Sequence, residues 1–346
     1  MQQIEVQVIQ GTGTYRELGN KQGRVHRDSK LADNHKVRRK RSMRNYKVNV
    51  QKAKEYYERF APHLWEELEG LAEGLDWSME DVAHEYSGYQ QHWKKSGCSA
   101  LMQHGYYARN YDYHPKTYEG RFLIWKPTSA YASIGFATRM IGRIDGMNEK
   151  GLVVGYHFVN RRREVDGFIC CTIARFLLDT CATTDEAITL LEKIPHRHAF
   201  NYSIYDSNGH AAIVEASGRG IFVKRGEGMS CTNHFDGLRD ENRHHLLESK
   251  ERLAHLEEHA TDTLTALDAF TLFNSSERPI FKSDYHNSAG TIHTAVYIPN
   301  ELKVIVGIGG NAKPLIFSFG DWLKGMPVHI TKIKGNIETT EVFPFK

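Results

Sequence analysis

The chain sets Cys98 at a Gly97-Cys98 junction within Ser96-Gly97-Cys98-Ser99-Ala100, and Arg109-Asn110-Tyr111-Asp112 follows closely. A thiol becomes a strong nucleophile only as it loses its proton. An unperturbed cysteine does so near a pKa of about 8.5, so it needs a neighbouring base or cation. Cleavage of the Gly97–Cys98 bond would supply that base. Cys98 would then be N-terminal, and an α-amine with an unperturbed pKa of about 7.7–8.0 would share a residue with the sulfur and take up its proton. Gly97 has no side chain to block attack on its carbonyl, so the same thiol can make the cut by an N-to-S acyl shift. Arg109 and Asp112 sit three residues apart near an expected strand end, where they can fix the thiol and the amine. These residue types point to a nucleophile that makes its own base, with an acyl-Cys98 intermediate in turnover.

The other four cysteines read differently. Cys170, Cys171 and Cys181 lie in an apolar, helix-like run with Ile173, Phe176, Leu177 and Leu178, and Cys231 carries no partner motif, so all four read as core. Five cysteines, an odd number without paired spacing, argue against a disulfide framework and for a reducing compartment. A papain-type context is absent because Ser99-Ala100 follows Cys98. His255-Leu256-Glu257-Glu258-His259 matches H-x-x-E-H, which on a helix can hold zinc. With 19 histidines such a match is cheap, and His255 and His259 fall among Glu248, Glu251 and Arg252, away from Leu246, Leu247, Leu253 and Leu256. They are expected to face solvent, so neither metal nor cofactor is expected. The rival reading is a non-catalytic or zinc-dependent protein in which Cys98 is structural. Gly11-Thr12-Gly13 and Gly307-Ile308-Gly309-Gly310 are too short for phosphate loops and read as turns.

Positioning Cys98 requires a scaffold. At 346 residues the chain exceeds a usual domain of about 100–200 residues. It divides at the junction into a mainly helical N-terminal segment, 1–97, and a catalytic domain, 98–346. Residues 4–9 alternate as a strand. Residues 45–92 carry helical spacing with a break near Gly74–Ser78, and Tyr46, Val50, Ala53, Tyr57 and Phe60 fall on one face. After Cys98 come β-like segments near 98–112, 121–126, 132–138 and 151–159, then helices near 170–194. Strands follow near 201–206, 210–217 and 220–225, then two helices within 240–274 and last strands at 291–298 and 302–309. Strand runs alternating with paired helices predict layered α+β packing.

A formal charge of +3 is small for this length and implies no general attraction to nucleic acid or acidic membranes. The basic run Lys36–Arg44 enters a helical segment and reads as a solvated face. Arg161-Arg162-Arg163 reads as a loop near the candidate site, with capture of a substrate carboxylate or phosphate as the alternative. No apolar run approaches the roughly 20 residues of a membrane span, and the first residues lack signal-peptide character, so a cytoplasmic protein is expected.

Six stretches, in order, carry a resemblance. They are Gly13-Thr14-Tyr15-Arg16-Glu17-Leu18-Gly19 with Gly23, Leu64 to Gly74, Gly97-Cys98-Ser99, Arg109-Asn110-Tyr111-Asp112, Gly146-Met147-Asn148-Glu149-Lys150-Gly151-Leu152, and Thr232-Asn233-His234. In these the chain resembles the isopenicillin N acyltransferase-like (acyl-coenzyme A:6-aminopenicillanic acid acyltransferase) family of N-terminal-nucleophile (Ntn) hydrolases. More distantly it is similar to choloylglycine hydrolases and penicillin V acylases. The resemblance implies a four-layer αββα sandwich and autocatalytic cleavage of a zymogen between Gly97 and Cys98, with segment 1–97 staying associated with 98–346. It implies Cys98 as nucleophile, Arg109 and Asp112 as its partners, and Asn233 as a side-chain donor to the oxyanion. Where the choloylglycine hydrolases carry a second oxyanion asparagine this chain has His157, within Tyr156-His157-Phe158. Their late arginine finds a loose match in Arg278. The implied partner is a small acyl substrate, an N-acyl amide or acyl-coenzyme A, and hydrolysis and acyl transfer share the intermediate. Substrate identity and oligomeric state, a homo-oligomer included, are not read from these residues.

Overall fold

The computed structural model describes residues 1–160, 164–243, 246–287 and 289–345. The N-terminal segment contains β1 (Gln2–Gly13), α1 (Tyr15–His26), α2 (Lys30–Ser42), α3 (Val50–Phe60), α4 (Pro62–Leu75) and α5 (Met79–Tyr86). After it come β2 (Gly97–Gln103), β3 (Tyr106–Tyr113), β4 (Arg121–Pro127), β5 (Ser133–Thr138), β6 (Gly142–Arg143), β7 (Asp145–Asn148) and β8 (Val153–Asn160). Next are α6 (Cys170–Thr180), α7 (Thr184–Leu191), β9 (Ala199–Tyr205), β10 (Ala211–Ser217), β11 (Gly220–Gly226) and β12 (Met229–Cys231). The chain closes with α8 (Leu246–His259), α9 (Ala266–Asn274), β13 (Ser283–Asp284), β14 (Ala289–Ile298), β15 (Lys303–Ile308), β16 (Leu315–Ser318), α10 (Phe319–Leu323) and β17 (Lys332–Ile337).

Two sheets form. One runs β11-β10-β9-β8-β7-β5-β4-β1-β17 with β6 on β5, and the other runs β12-β2-β3-β14-β15-β16 with β13 on β14. Helices α6 and α7 cover the first sheet and α8 and α9 the second, while β2 faces β8 across the interior. The fold is therefore α+β with αββα layering, each sheet burying one face on the other and one under helices. Among the described residues no helix is long and apolar enough to cross a membrane.

The N-terminal segment is less separate than its helical composition suggests. Strand β1, with Ile4 and Val6 fully buried, pairs in parallel with β4 and antiparallel with β17. Residues 1–97 thus supply an interior strand of the first sheet. Helix α1 begins where Thr14 and Glu17 form a capping box. It crosses α4 at glycines: a Cβ on Gly19 would stand 2.0 Å from the Glu67 carbonyl oxygen, and one on Gly70 2.0 Å from that of Arg16. Two of the six resembling stretches, those around Gly19 and Gly70, therefore encode backbone-to-backbone helix packing. The helical run expected from residue 45 divides into α3, α4 and α5, and Tyr46 lies ahead of α3. Helices α1 and α2 precede that run because capping residues Thr14 and Ser29 start helices whose apolar faces are too sparse to show as periodicity. The basic run is not wholly solvated: Arg38 pairs with Glu85, and Arg39 lies 3.3 Å from Asp81 of α5.

Buried charge joins the segment to the rest. Arg175 of α6 reaches Glu67 of α4 at 2.9 Å and Asp179 at 2.7 Å, and the Tyr15 hydroxyl donates to Asp179 at 2.8 Å. Burial raises the Asp179 carboxyl, but Arg175 and His63 overcome it and hold it down at about 2. Replacing Arg175 by Met should destabilise the protein by about 3–5 kcal/mol, because two buried carboxylates lose their shared counter-ion. A thermal unfolding temperature equal to that of the native chain would contradict this. Because its folded pKa lies below the unfolded value of about 3.9, Asp179 contributes stability that is complete above about pH 4 and lost as pH falls toward 2. Unfolding temperature should drop through that window, and less steeply in Asp179→Asn.

Candidate active site

Cys98 is the second residue of β2 and is fully buried. Antiparallel pairing sets Gly97 opposite Asp112 and Ala100 opposite Arg109, so the register of β2 and β3 gathers the thiol, the guanidinium and the carboxylate. Arg109 is fully buried between the sheets. Its Nη2 donates to the Cys98 sulfur at 3.3 Å and to the Tyr156 carbonyl at 2.7 Å, and its Nη1 donates to the Ile144 carbonyl at 2.7 Å. Asp145 lies 3.5 Å from Nη1 and accepts from His293 Nε2 at 3.0 Å and the Tyr297 hydroxyl at 2.6 Å. Only a glycine fits beneath this guanidinium: a Cβ at Gly155 would stand 2.1 Å from the Tyr107 hydroxyl and 2.8 Å from Arg109 Nη1.

The amine end of Cys98 is held from the other side. Its backbone N–H donates to Asn233 Oδ1 at 2.9 Å, and Arg252 Nη2 donates to the same oxygen at 2.8 Å. Asn233 Nδ2 donates to the Phe158 carbonyl at 2.8 Å. Two donors face one side of the amide and a carbonyl faces the other, which fixes its orientation. The Asn233 NH2 is thus turned to the Phe158 carbonyl and its oxygen to the Cys98 nitrogen. Its turn is pinned by Ser249 Oγ, which accepts from the Asn233 N–H at 2.8 Å, and by Asn201, which donates to the Thr232 and His234 carbonyls.

Asp112 accepts from the Thr291 hydroxyl at 2.7 Å through Oδ1, while Oδ2 is buried with no hydrogen-bond partner among the described residues. That oxygen lies beside Gly97, whose Cβ would sit 3.4 Å from it. Burial lifts the Asp112 carboxyl to about 6, against Arg252 and Lys282, which oppose the rise. Burial also raises the Cys98 thiol, with Arg109 acting against it and Asp112 with it. The sulfur of the uncut chain is thus predominantly a thiol beside a carboxylate that titrates near neutrality. His157 is buried on β8 and shares Nε2 with Ser203 Oγ at 2.8 Å. Burial and Arg109 press it well below its usual value, so it is neutral at pH 7.

The structure brings Cys98, Arg109, Asp112, Asn233 and the Gly97–Cys98 junction into one buried cluster. It adds Arg252, which nothing in the sequence marks. Arg252 donates to the Cys98 carbonyl at 2.9 Å and to Ser99 Oγ at 2.6 Å. Polar neighbours gave α8 the look of a solvated face there, yet the inward residues are Ser249, Arg252 and Leu256, and Leu247 is exposed. The only legible signal is the helical i, i+3, i+7 spacing of those three. Arg278, the loose match for a late arginine, lies instead near His259. Arg161–Arg163 fall outside the described residues. Cys170, Cys171, Cys181 and Cys231 are free and buried, as their apolar settings predict.

The family model described as acyl-coenzyme A:6-aminopenicillanic acid acyl-transferase matches residues 93–313, more than half of the chain. No curated protein sequence matches. Among solved structures, penicillin V acylase from Agrobacterium tumefaciens is similar at 17% identity and a TM-score of 0.39, over 64% of this chain and 86% of that one. A mutant of the conjugated bile acid hydrolase from Clostridium perfringens is similar at 13% identity and a TM-score of 0.41, over 65% and 93%. The Caenorhabditis elegans ortholog of N-acylethanolamine-hydrolyzing acid amidase is similar at 13% and 0.42, over 59% and 93%.

The contact between Arg109 and Cys98 is open to direct measurement. Removing the guanidinium in Arg109→Met should raise the pH at which the Cys98 thiolate appears by about 1–3 units, read as ultraviolet thiolate absorbance against a Cys98→Ala control. Should that variant not fold, Gly155→Ala displaces the guanidinium by its added methyl and should shift the same titration upward. An unshifted titration in a folded variant would remove Arg109 from the role of thiolate partner.

Proposed function

This chain belongs to the acyl-coenzyme A:6-aminopenicillanic acid acyl-transferase family, and from that premise we propose that it is a self-processing Ntn enzyme with Cys98 as its N-terminal nucleophile. The observation that carries the reading is that one residue is gripped at both reactive atoms: Arg109 donates to the Cys98 sulfur and Asn233 accepts from the Cys98 nitrogen. Members of such families hydrolyse amides or transfer acyl groups, and both outcomes share one intermediate.

In the processing step Asp112 takes the thiol proton, and the sulfur attacks the Gly97 carbonyl carbon. The Gly97–Cys98 C–N bond breaks as the nitrogen receives that proton, leaving a Gly97 thioester on Cys98. Water then hydrolyses the thioester, its oxygen going to the Gly97 carboxylate and its proton to the sulfur. The new α-amine inherits the Asn233 acceptor and the unpartnered Asp112 Oδ2. In turnover that amine takes the thiol proton, Cys98 is acylated by an amide or an activated acyl donor, the leaving group departs protonated, and water or an amine resolves the acyl-Cys98. The segment 1–97 remains bound after the cut, supported by the β1 ladders and the Arg175 cluster. The cationic neighbours Arg252 and Lys282 line the small cavity beside Gly97 together with Phe158 and Val159.

Intact mass of the purified protein should show two associated pieces, 1–97 and 98–346, and Cys98→Ala should give one uncut, inactive chain. A single uncut chain with full turnover would overturn the N-terminal base. Since Asp112 titrates at about 6, the cleavage rate should fall about tenfold per pH unit below that value and level off above it. A rate that keeps climbing through pH 8 would assign the step to free thiolate instead. Asn233→Ala should lower kcat, whereas Asn233→Asp, which keeps the acceptor oxygen, should retain more activity on the same substrate. Equal losses in the two variants would restore Asn233 to the donor role.

A further inference from the structure

The last two turns of α8 carry a cluster that the acyl-transfer chemistry does not use. His255, Glu258 and His259 stand at i, i+3 and i+4, the spacing that puts three side chains on one helical face. One ligand-type atom from each lies within 4.8 Å of the other two. The two imidazole rings are 4.2 Å apart at an interplanar angle of 41°. Neither histidine is fully solvated, because turning Ser249, Arg252 and Leu256 inward half-buries the adjoining face.

Two details say what the cluster is poised to take. His259 Nδ1 lies 2.9 Å from the His255 carbonyl, a hydrogen bond that places the ring proton on Nδ1 and the lone pair on Nε2. His255 Nε2 is buried and has no hydrogen-bond partner among the described residues. An imidazole pair with one carboxylate suits a borderline divalent ion of tetrahedral preference, with water as the remaining ligand. We propose that His255, Glu258 and His259 form a zinc-binding site on the C-terminal end of α8.

One group opposes binding. Arg278 Nη1 lies 3.4 Å from His259 Nε2 and occupies the lone pair with a like charge. Arg278 is exposed, so its side chain can leave at low cost, and Glu258 supplies the negative charge the ion needs. The site is not catalytic. Its meaning lies in the helix: Arg252 is one turn away, about 4.5 Å along the axis from His255, and holds the Cys98 carbonyl. An ion bridging 255, 258 and 259 would stiffen the end of the helix that carries this contact.

The test is zinc titration by calorimetry of the full-length Cys98→Ala chain, which excludes chelation by an N-terminal cysteine and does not depend on the proposed cleavage or turnover. One equivalent should bind saturably, and cobalt in its place should give a spectrum of nitrogen and oxygen ligation without thiolate charge transfer. Replacing both histidines, His255→Ala with His259→Ala, should weaken binding at least about tenfold with unchanged circular dichroism. Arg278→Ala should tighten it, since the competing donor and its charge are gone. Absence of saturable binding, equal affinity in the double variant, or weaker binding in Arg278→Ala would each overturn the proposal.

Discussion

The arrangement around Cys98 depends on one buried cation. Arg109 leaves β3, crosses to the opposite sheet and spends two of its donors on the carbonyls of Ile144 and Tyr156. A guanidinium buried without neutralising partners is costly, so its surroundings must supply acceptors. They do so through the two carbonyls, the sulfur and Asp145, which is itself braced by His293 and Tyr297. The thiol is therefore one acceptor in a set that also fixes the separation and register of the sheets. Gly155 and the register of β2 on β3 follow from the need to let this side chain through.

The same economy explains the N-terminal segment. It is tied in by more than surface contacts, because β1 is an interior strand and α1, α4 and α6 meet at buried charge. Strand ladders and buried ion pairs together tie residues 1–97 to the rest of the fold. The Gly97–Cys98 bond lies at the start of β2, beside Asp112 Oδ2, a buried carboxylate oxygen without a hydrogen-bond partner among the described residues.

Helix α8 links the site to the surface. Ser249 and Arg252 on its inner face hold the Asn233 turn and the Cys98 carbonyl, while its last turns present two histidines and a glutamate half a helix away. Any constraint on the outer end is mechanically close to the inner contacts.

Much of this protein was legible in its sequence, and the legible part is local. The Gly-Cys junction, the Arg/Asp pair three residues apart, and the turn after Cys231 are short-range patterns; alternation or helical spacing located β8, α6 and β14 near their observed bounds, while the single β segment read near 98–112 divides into β2 and β3 at the His104-Gly105 turn. These follow from backbone periodicity and side-chain chemistry, which neighbouring residues determine. Tertiary packing decided the rest. Arg252 looks like a surface residue until α8 is docked, because polarity along a helix does not say which face meets a polar interior. Asn233 reads as a donor, and only the simultaneous approach of the Cys98 N–H, Arg252 and the Phe158 carbonyl turns its oxygen toward the Cys98 nitrogen. The place of β1 between β4 and β17 is likewise invisible locally, since strand pairing joins residues more than a hundred positions apart and is settled by burial and register rather than by propensity.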